Sequence, residues 1–358
     1  MRILVFNWKD LAHPLAGGAE VFTEELCRAL VVRGHSVTIF AAAVPRKPAR
    51  ETVRGVEIVR AGGRIGVYRE ARLFWARQAR RADYDIVIDE INTRPFLTPR
   101  WIRGTPIVTL IHQLAREIWY YETPFPVSVL GRYVLEPWWL RSYRRVPALT
   151  VSESSAQSLR EHHGWTDLTV VPEGWTPHGR PDHPKEDDPT VVFLGRLVPM
   201  KRPEDAVRAF GLLRASFPKT RLWVIGDGPL LDSLRTHADR SVRFFGRIGG
   251  EEVRERLARS HVLVATSVRE GWGLNVSEAA TCGTPSIAYS VPGLVDSVAA
   301  SGGALVDPSP QALGDALVRY FQGELPLEPR LSLRPWSDVA EAVEARLESV
   351  VATFETRR

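Results

Sequence analysis

The sequence predicts an α/β protein built from two doubly wound parallel-sheet units in series. Three observations carry this. Short continuous apolar runs alternate with helical periodicity in both halves, the pattern of a parallel sheet covered on both faces. A proline-rich, charge-rich stretch breaks the alternation near the middle. The 358 residues also exceed one ordinary core at roughly 100 to 200 residues per domain.

Arg2 to Phe6 reads as the first strand, followed by a loop containing Gly17-Gly18 and a helix from Ala19 to Val32 that stops at Gly34. Strands follow at Ser36 to Ala43, Val56 to Val59, Asp85 to Ile88 and Pro106 to Ile111, with a helix from Tyr68 to Arg81. After a loop from Gln113 to Pro126, a helical stretch runs to Arg145. It is followed by a strand at Ala148 to Val151, a helix from Glu153 to His163 and a strand at Leu168 to Pro172. Residues 176–189 hold four prolines and eight charged or histidine residues, which is linker composition.

Beyond it the same order restarts. Strands are expected at Thr190 to Leu194, Arg221 to Ile225, Val242 to Phe245, His261 to Ala265 and Pro285 to Tyr289. Helices are expected at Glu204 to Ser216, Leu230 to Ala238, Glu251 to Arg259 and Asn275 to Cys282. The expected organisation is thus a first domain over 1–175, a linker over 176–189, a second domain over 190–330 and a tail over 331–358. The amphipathic helix from Trp336 to Phe354 either ends the second domain or crosses back to the first.

Composition narrows the class. Hydrophobic residues at 44% and charged residues at 25% exclude a disordered or fibrous chain. No run reaches the roughly 18 to 20 apolar residues of a bilayer span, and the amino terminus has no signal-peptide core, so a cytoplasmic protein is expected. Cys27 and Cys282 lie far apart and support neither a disulfide framework nor a thiolate metal site; both are expected to be buried and inert. The net charge of +5 fits nucleic acid, anionic lipid or a phosphorylated ligand equally. Arginine is spread over both halves and no nucleic-acid recognition motif occurs, so no nucleic-acid partner is expected. No G-x-G-x-x-G follows the first strand, which weighs against a dinucleotide oxidoreductase.

The strongest local signal is Glu270-Gly271-Trp272-Gly273-Leu274-Asn275-Val276-Ser277-Glu278, directly after an apolar strand and running into a helix. Such a turn presents free backbone N–H groups and a positive helix end, which suit a phosphate, while the two carboxylates can accept hydrogen bonds from sugar hydroxyls. A helix cap fits the spacing as well.

The two glutamates separated by seven residues are followed by Ala279, Gly283-Thr284-Pro285 and Pro292-Gly293. Gly17-Gly18, Gly195-Arg196-Leu197 and Gly226-Asp227-Gly228-Pro229 precede them in order. Over its whole length the chain resembles glycosyltransferase family 4. The resemblance implies the GT-B fold, two Rossmann-like domains facing across a cleft. It also implies a retaining enzyme that moves a sugar from a UDP- or GDP-linked donor to a hydroxyl acceptor.

On this resemblance Glu278 would bind the ribose, Glu270 the transferred sugar, and the backbone near Leu274 and Asn275 the diphosphate. Arg196 and Lys201 would neutralise the diphosphate as the glycosidic bond breaks, a charge that fixed cations stabilise. Gly17 and Gly18 would allow close approach of the donor, Arg247 and Ile248 would flank the nucleobase, and His112, at the carboxyl end of its strand, would reach toward the sugar. His13 is a weaker candidate, and His162 and His163 look like surface positions. The family often has asparagine where this chain has Glu173, so an acceptor contact and an ordinary turn both fit there.

No D-x-D-like site lies in a metal-binding context, so neither a metal nor another cofactor is expected. The acceptor is open among a glycan, a lipid-linked and a small molecule. Residues 119–145 concentrate Trp119, Tyr120, Tyr121, Trp138, Trp139 and Tyr143 with Arg132, Arg141, Arg144 and Arg145. Internal packing, a peripheral membrane contact and an aglycone pocket all fit that composition. A sugar-nucleotide epimerase, a phosphorylase and a non-catalytic scaffold are the alternatives on the same fold.

Overall fold

In the computed structural model, residues 1–357 are described, other than 78–82, 177, 178, 180 and 331. The chain begins β1 (Arg2–Phe6), α1 (Gly18–Val32), β2 (Ser36–Ala41), β3 (Arg50–Val53), β4 (Val56–Arg60), α2 (Val67–Arg77), β5 (Ile86–Ile91) and β6 (Ile107–Ile111). Three short helices follow, α3 (Ile118–Glu122), α4 (Val127–Leu130) and α5 (Glu136–Leu140), then β7 (Ala148–Thr150), α6 (Glu153–His163), β8 (Leu168–Val170) and β9 (Gly174–Trp175). The rest of the helix expected over Tyr68 to Arg81 lies outside the described residues.

The chain continues through β10 (Thr190–Leu194), α7 (Pro203–Ser216), β11 (Arg221–Ile225), α8 (Leu231–His237), β12 (Val242–Gly246), α9 (Gly250–Arg259), β13 (Val262–Ala265) and α10 (Leu274–Thr281). It ends with β14 (Ser286–Tyr289), α11 (Leu294–Ser301), β15 (Gly303–Val306), α12 (Pro310–Phe321), β16 (Arg334–Pro335) and α13 (Trp336–Thr356).

Two compact units result. The first comprises Met1–Arg116, Leu130–Thr176 and Arg334–Arg358; the second comprises Glu117–Val129 and Pro177–Leu333. The first unit holds a sheet ordered β3-β4-β2-β1-β5-β6-β7-β8, parallel except for the β3–β4 hairpin. That hairpin turns through Arg54 and Gly55, both left-handed at φ 49° and 86°, the geometry of a type I′ turn. Arg-Glu-Thr-Val has too little apolar character to announce itself as a strand, and its alternating exposure shows why: it is an edge strand.

The central strands β1 and β5 are buried on both faces, and Leu4, Phe6, Phe40 and Val87 pack with Phe74 and Phe96 in one core. The chain order reverses between β1 and β5. This is the switch point at which ligands of open α/β sheets bind.

The tail packs on the first unit. β16 pairs with β9, Trp336 stacks edge-on to Phe22 at 5.4 Å, and Glu344 on α13 accepts from Arg33 and from His35 Nε2 (2.8 Å). Its inward positions Val339, Val343 and Leu347 repeat at helical spacing and are almost fully buried.

The second unit holds an entirely parallel sheet ordered β12-β11-β10-β13-β14-β15, with its reversal between β10 and β13. Val191, Val192, Leu222, Val264 and Ile287 are fully or almost fully buried at its centre, each worth roughly 1.5–3 kcal/mol of hydrophobic stabilisation. The second half of the linker is tied down on this unit. Lys185 Nζ donates to Ser260 O (2.6 Å), Gly283 O (3.2 Å) and Thr284 Oγ1 (2.9 Å), and Glu186 and Asp188 pair with Arg259 and Arg221.

One segment departs from the expected first domain. Glu117–Val129 groups with the second unit, where Arg269 Nε donates to Glu117 (3.1 Å) and the Met200 amide donates to Glu122 (3.2 Å). These partners lie 78 and 152 residues away, so local sequence patterns carry no trace of them.

Candidate active site

In the second unit, the loops leaving β10 and β13 bring together Gly195-Arg196-Leu197, Lys201, Glu270 and the start of α10. Gly226 and Gly228 make this approach close. Both have positive φ, and a Cβ on Gly226 would collide with the Gly195 carbonyl, while one on Gly228 would sit 2.5 Å from the Leu197 carbonyl oxygen. The Gly-Asp-Gly-Pro turn therefore lies flush against the Gly-Arg-Leu element, fixed by the Leu197 amide donating to Asp227 O (2.9 Å).

Gly293 does the same for Glu270. At φ 84° it packs on the Glu270 backbone, which donates its amide to Pro292 O (3.0 Å). The Pro292-Gly293 pair thus positions the glutamate backbone.

Glu270 is largely buried. Its Oε1 accepts from Ser267 Oγ (2.6 Å) and is ion-paired with Lys201 Nζ. Lys201 is therefore not a bare cation here. Arg196 differs, being exposed with no hydrogen-bond or ion-pair partner among the described residues.

α10 begins after Gly273, which supplies no side-chain cap; the Val276 amide donates to Gly273 O (3.0 Å) and to Asn275 Oδ1 (3.0 Å), so the unfilled donor capacity of this helix start rests on the amides of Leu274 and Asn275. Glu278 projects from the exposed side of α10, and its carboxylate has no hydrogen-bond or ion-pair partner among the described residues.

Two neighbours are otherwise engaged. Trp272 is buried and its Nε1–H donates to Ser277 Oγ (3.0 Å), while Asn275 Nδ2 donates to Leu194 O (2.9 Å) and braces the end of β10. Their side chains hold the turn together. Arg247 is exposed and Ile248 half-buried just after β12.

In the first unit, His112 follows β6, is 7% exposed, and stands edge-on to Phe22 at 5.2 Å. Its Nε2 lies 3.3 Å from Glu90 Oε1, within ion-pair range if protonated but misaligned for a hydrogen bond, and makes no other one. Glu136 fixes the chain just beyond by accepting from the amides of Ala115 (2.7 Å) and Arg116 (2.9 Å).

The switch point of this sheet also holds groups the sequence did not reveal. Glu90 is buried and accepts from Thr23 Oγ1 (2.7 Å); Asn92 Nδ2 reaches Asn7 Oδ1 (3.0 Å), Glu90 Oε1 (3.3 Å) and Glu20 Oε1 (3.5 Å). Glu20 accepts from the Gly17 amide (2.6 Å) and pairs with Lys9 (3.0 Å), while burial raises its carboxyl above the ordinary value. The available signal was Asp89-Glu90 inside an apolar strand, since charges at the carboxyl end of a buried strand need partners.

Gly17 has extended backbone at φ −146°, and a Cβ there would meet nothing closer than Glu20 at 3.9 Å. Its own unit does not require glycine at this position. His13 packs edge-on to Trp8 and accepts from the Leu15 amide (3.1 Å). His163 was expected at the surface and is instead buried, with burial lowering its imidazole to about 4; His162 is exposed. Glu173 is buried, as are Cys27 and Cys282, whose thiols burial pushes up.

Residues 119–145 divide. Trp119, Leu140 and Tyr143 are buried, whereas Leu130, Tyr133, Val134 and Trp138 are 48–62% exposed, with Arg100 stacked over Trp138 at 4.6 Å. Internal packing therefore accounts for only part of the aromatic content. Among the described residues no helix is long and apolar enough to cross a membrane, and no cluster of three or more His, Cys, Asp or Glu has metal-binding geometry.

Comparison with known proteins agrees with this architecture. The family described as "Glycosyltransferase Family 4" matches residues 16–178, and "Glycosyl transferases group 1" matches residues 178–333. Glycogen synthase of Mycobacterium tuberculosis is 25% identical over 339 residues, spanning 83% of this chain and 80% of that protein. D-inositol 3-phosphate glycosyltransferase of Nocardiopsis dassonvillei is 29% identical over 334 residues, spanning 79% and 76%. Sucrose-phosphate synthase from Thermosynechococcus elongatus has the same fold at a TM-score of 0.73 and 20% identity, covering 99% of this chain and 97% of its own. With both halves matched in sequence and the two switch points formed, the chain belongs to glycosyltransferase family 4 and is a glycosyltransferase of the GT-B fold.

Proposed function

We propose that the second unit binds a nucleoside diphosphate sugar and that the enzyme transfers the sugar with retention and without a metal. The observation that carries this is a pair of unengaged groups of opposite sign, Arg196 and Glu278, beside the uncapped start of α10. A free carboxylate suits ribose hydroxyls, and a free guanidinium with helix-start amides suits a diphosphate.

In this reading the bond from the anomeric carbon to the β-phosphate oxygen breaks with its electron pair passing to that oxygen. The acceptor hydroxyl bonds from the same face and its proton goes to the leaving phosphate. Arg196 stabilises the growing charge, joined by Lys201 as Glu270 turns from the lysine to a sugar hydroxyl. His112 is the first unit's candidate for substrate contact. Relatives named for inositol 3-phosphate and glycogen favour a polyol or glycan hydroxyl as the acceptor. The exposed Leu130, Tyr133, Val134 and Trp138, with arginine nearby, favour peripheral docking on an anionic membrane surface.

A thermal-shift screen of UDP, GDP and ADP and their sugars tests the donor assignment. One of the uridine or guanosine ligands is expected to give the largest stabilisation. Equal melting with every nucleotide would remove it. Activity should persist in excess chelator; loss restored only by Mg²⁺ or Mn²⁺ would contradict metal independence.

A further inference from the structure

Beside α2 in the first unit lies a groove of about 360 Å³ that none of these roles uses. Tyr68, Leu73 and Phe96 give it an apolar floor, and Arg69, Arg72 and Arg94 rim it. No carboxylate lines it, and among the described residues none of the three guanidiniums has an acid partner. Arg94 stacks 4.2 Å over the Tyr68 ring, and the Tyr68 hydroxyl donates to Arg94 O (3.2 Å). Tyr68 and Arg72, and likewise Arg69 and Leu73, are four apart on α2 and share its groove-facing side.

The opposite wall is held from within. Asp89 is fully buried and accepts from the amides of Phe96 (3.3 Å) and Thr98 (3.2 Å), from Thr98 Oγ1 (2.6 Å) and from Tyr143 OH (2.5 Å). This clamp keeps Leu97 left-handed at φ 59°, a conformation a non-glycine residue holds only when its surroundings over-determine it. Arg94 and Phe96 are thereby presented on a rigid loop leaving β5, at the carboxyl edge of the sheet where His112 follows β6.

Three guanidiniums around an acid-free apolar floor need an anion with several acceptor oxygens and a body that covers the rings. We propose that this groove binds a phosphate ester carrying an apolar body, the phosphate held by Arg69, Arg72 and Arg94 and the body lying on Tyr68 and Phe96. The site is distinct from the donor loops of the second unit and does not depend on the assignment of the donor.

Calorimetry on the full chain with hexyl phosphate, inorganic phosphate and hexanol tests it, beside flotation with phosphatidylcholine vesicles with and without phosphatidic acid. The comparison protein is the triple variant Arg69→Gln, Arg72→Gln, Arg94→Gln, whose exposed positions should leave the melting temperature unchanged. Hexyl phosphate should bind more tightly than inorganic phosphate or hexanol, and the triple variant should bind it at least about tenfold more weakly. Arginine-dependent binding to phosphatidic acid vesicles would identify a lipid headgroup as the source. Hexyl phosphate binding with no arginine-dependent preference for those vesicles would identify a free phosphate ester. Equal hexyl phosphate affinity in the two proteins, or none in the wild type, would overturn the site.

Discussion

At the switch point of the first sheet, Glu20 and Glu90 are both buried and already held, by Lys9, the Gly17 amide, Thr23 and Asn92. At the switch point of the second, Arg196 and Glu278 hold nothing among the described residues, and the loops around them are shaped by glycines pressed against backbone. The first spends its charges on internal order. The second uses its glycines for shape, pairs Lys201 with Glu270, and among the described residues leaves Arg196 and Glu278 unpaired. The same topology therefore yields one pre-satisfied polar cluster and one arrangement with capacity for a charged ligand.

The comparison breaks most sharply where charge is buried. Arg60 and Asp10 form an ion pair in the first unit that is almost wholly buried, and Arg60 also reaches Glu51 (2.6 Å). Arg60→Met should cost about 3–5 kcal/mol, read as a fall in the denaturant midpoint, because Asp10 is left charged without its partner. A fall below about 1 kcal/mol would mean that water reaches the pair.

In the second unit the comparable loss comes from shape. Gly293→Ala forces a Cβ into the Glu270 backbone at a positive φ and should cost about 3 kcal/mol. Unchanged stability would show that the Glu270 turn relaxes freely.

Acid sharpens the contrast through His163, held at about 4 against an ordinary value near 6.5. The unfolded chain takes a proton that the folded chain refuses. Stability should therefore be level above pH 6.5, fall by up to about 3 kcal/mol as the pH drops toward 4, and level off below. His163→Gln should flatten that limb; an unaltered slope would assign it to other groups. The smallest stability effect is expected at Gly17, where Gly17→Ala should stay within about 1 kcal/mol of the wild type because the backbone is extended and the space open. A large loss would place Gly17 among the structural glycines of the second unit.

Periodicity made most of the sheet order legible. Arg2–Phe6, Thr190–Leu194 and Arg221–Ile225 coincide with their expected bounds because buried parallel strands are continuous apolar runs with sharp ends. Arg50–Val53 was hidden because an edge strand can be polar, and β5 extends to Ile91 because Asp89 and Glu90 find buried partners that a local pattern does not show. His163 looked like surface for the same reason, its neighbours being supplied by the fold. At the candidate site the motif residues Arg196, Lys201, Glu270 and Glu278 were legible from their order. The Lys201–Glu270 pair and the internal roles of Trp272 and Asn275 were not, because each depends on which side chain reaches which loop.

The central claim is that free groups at the second switch point receive a nucleoside diphosphate. Calorimetric titration of the best-stabilising nucleoside diphosphate into wild type, Arg196→Ala and Glu278→Gln tests it most directly. Both variants should melt like the wild type and bind at least about tenfold more weakly, the loss of one charge-assisted contact each. Wild-type affinity in both variants would contradict the account.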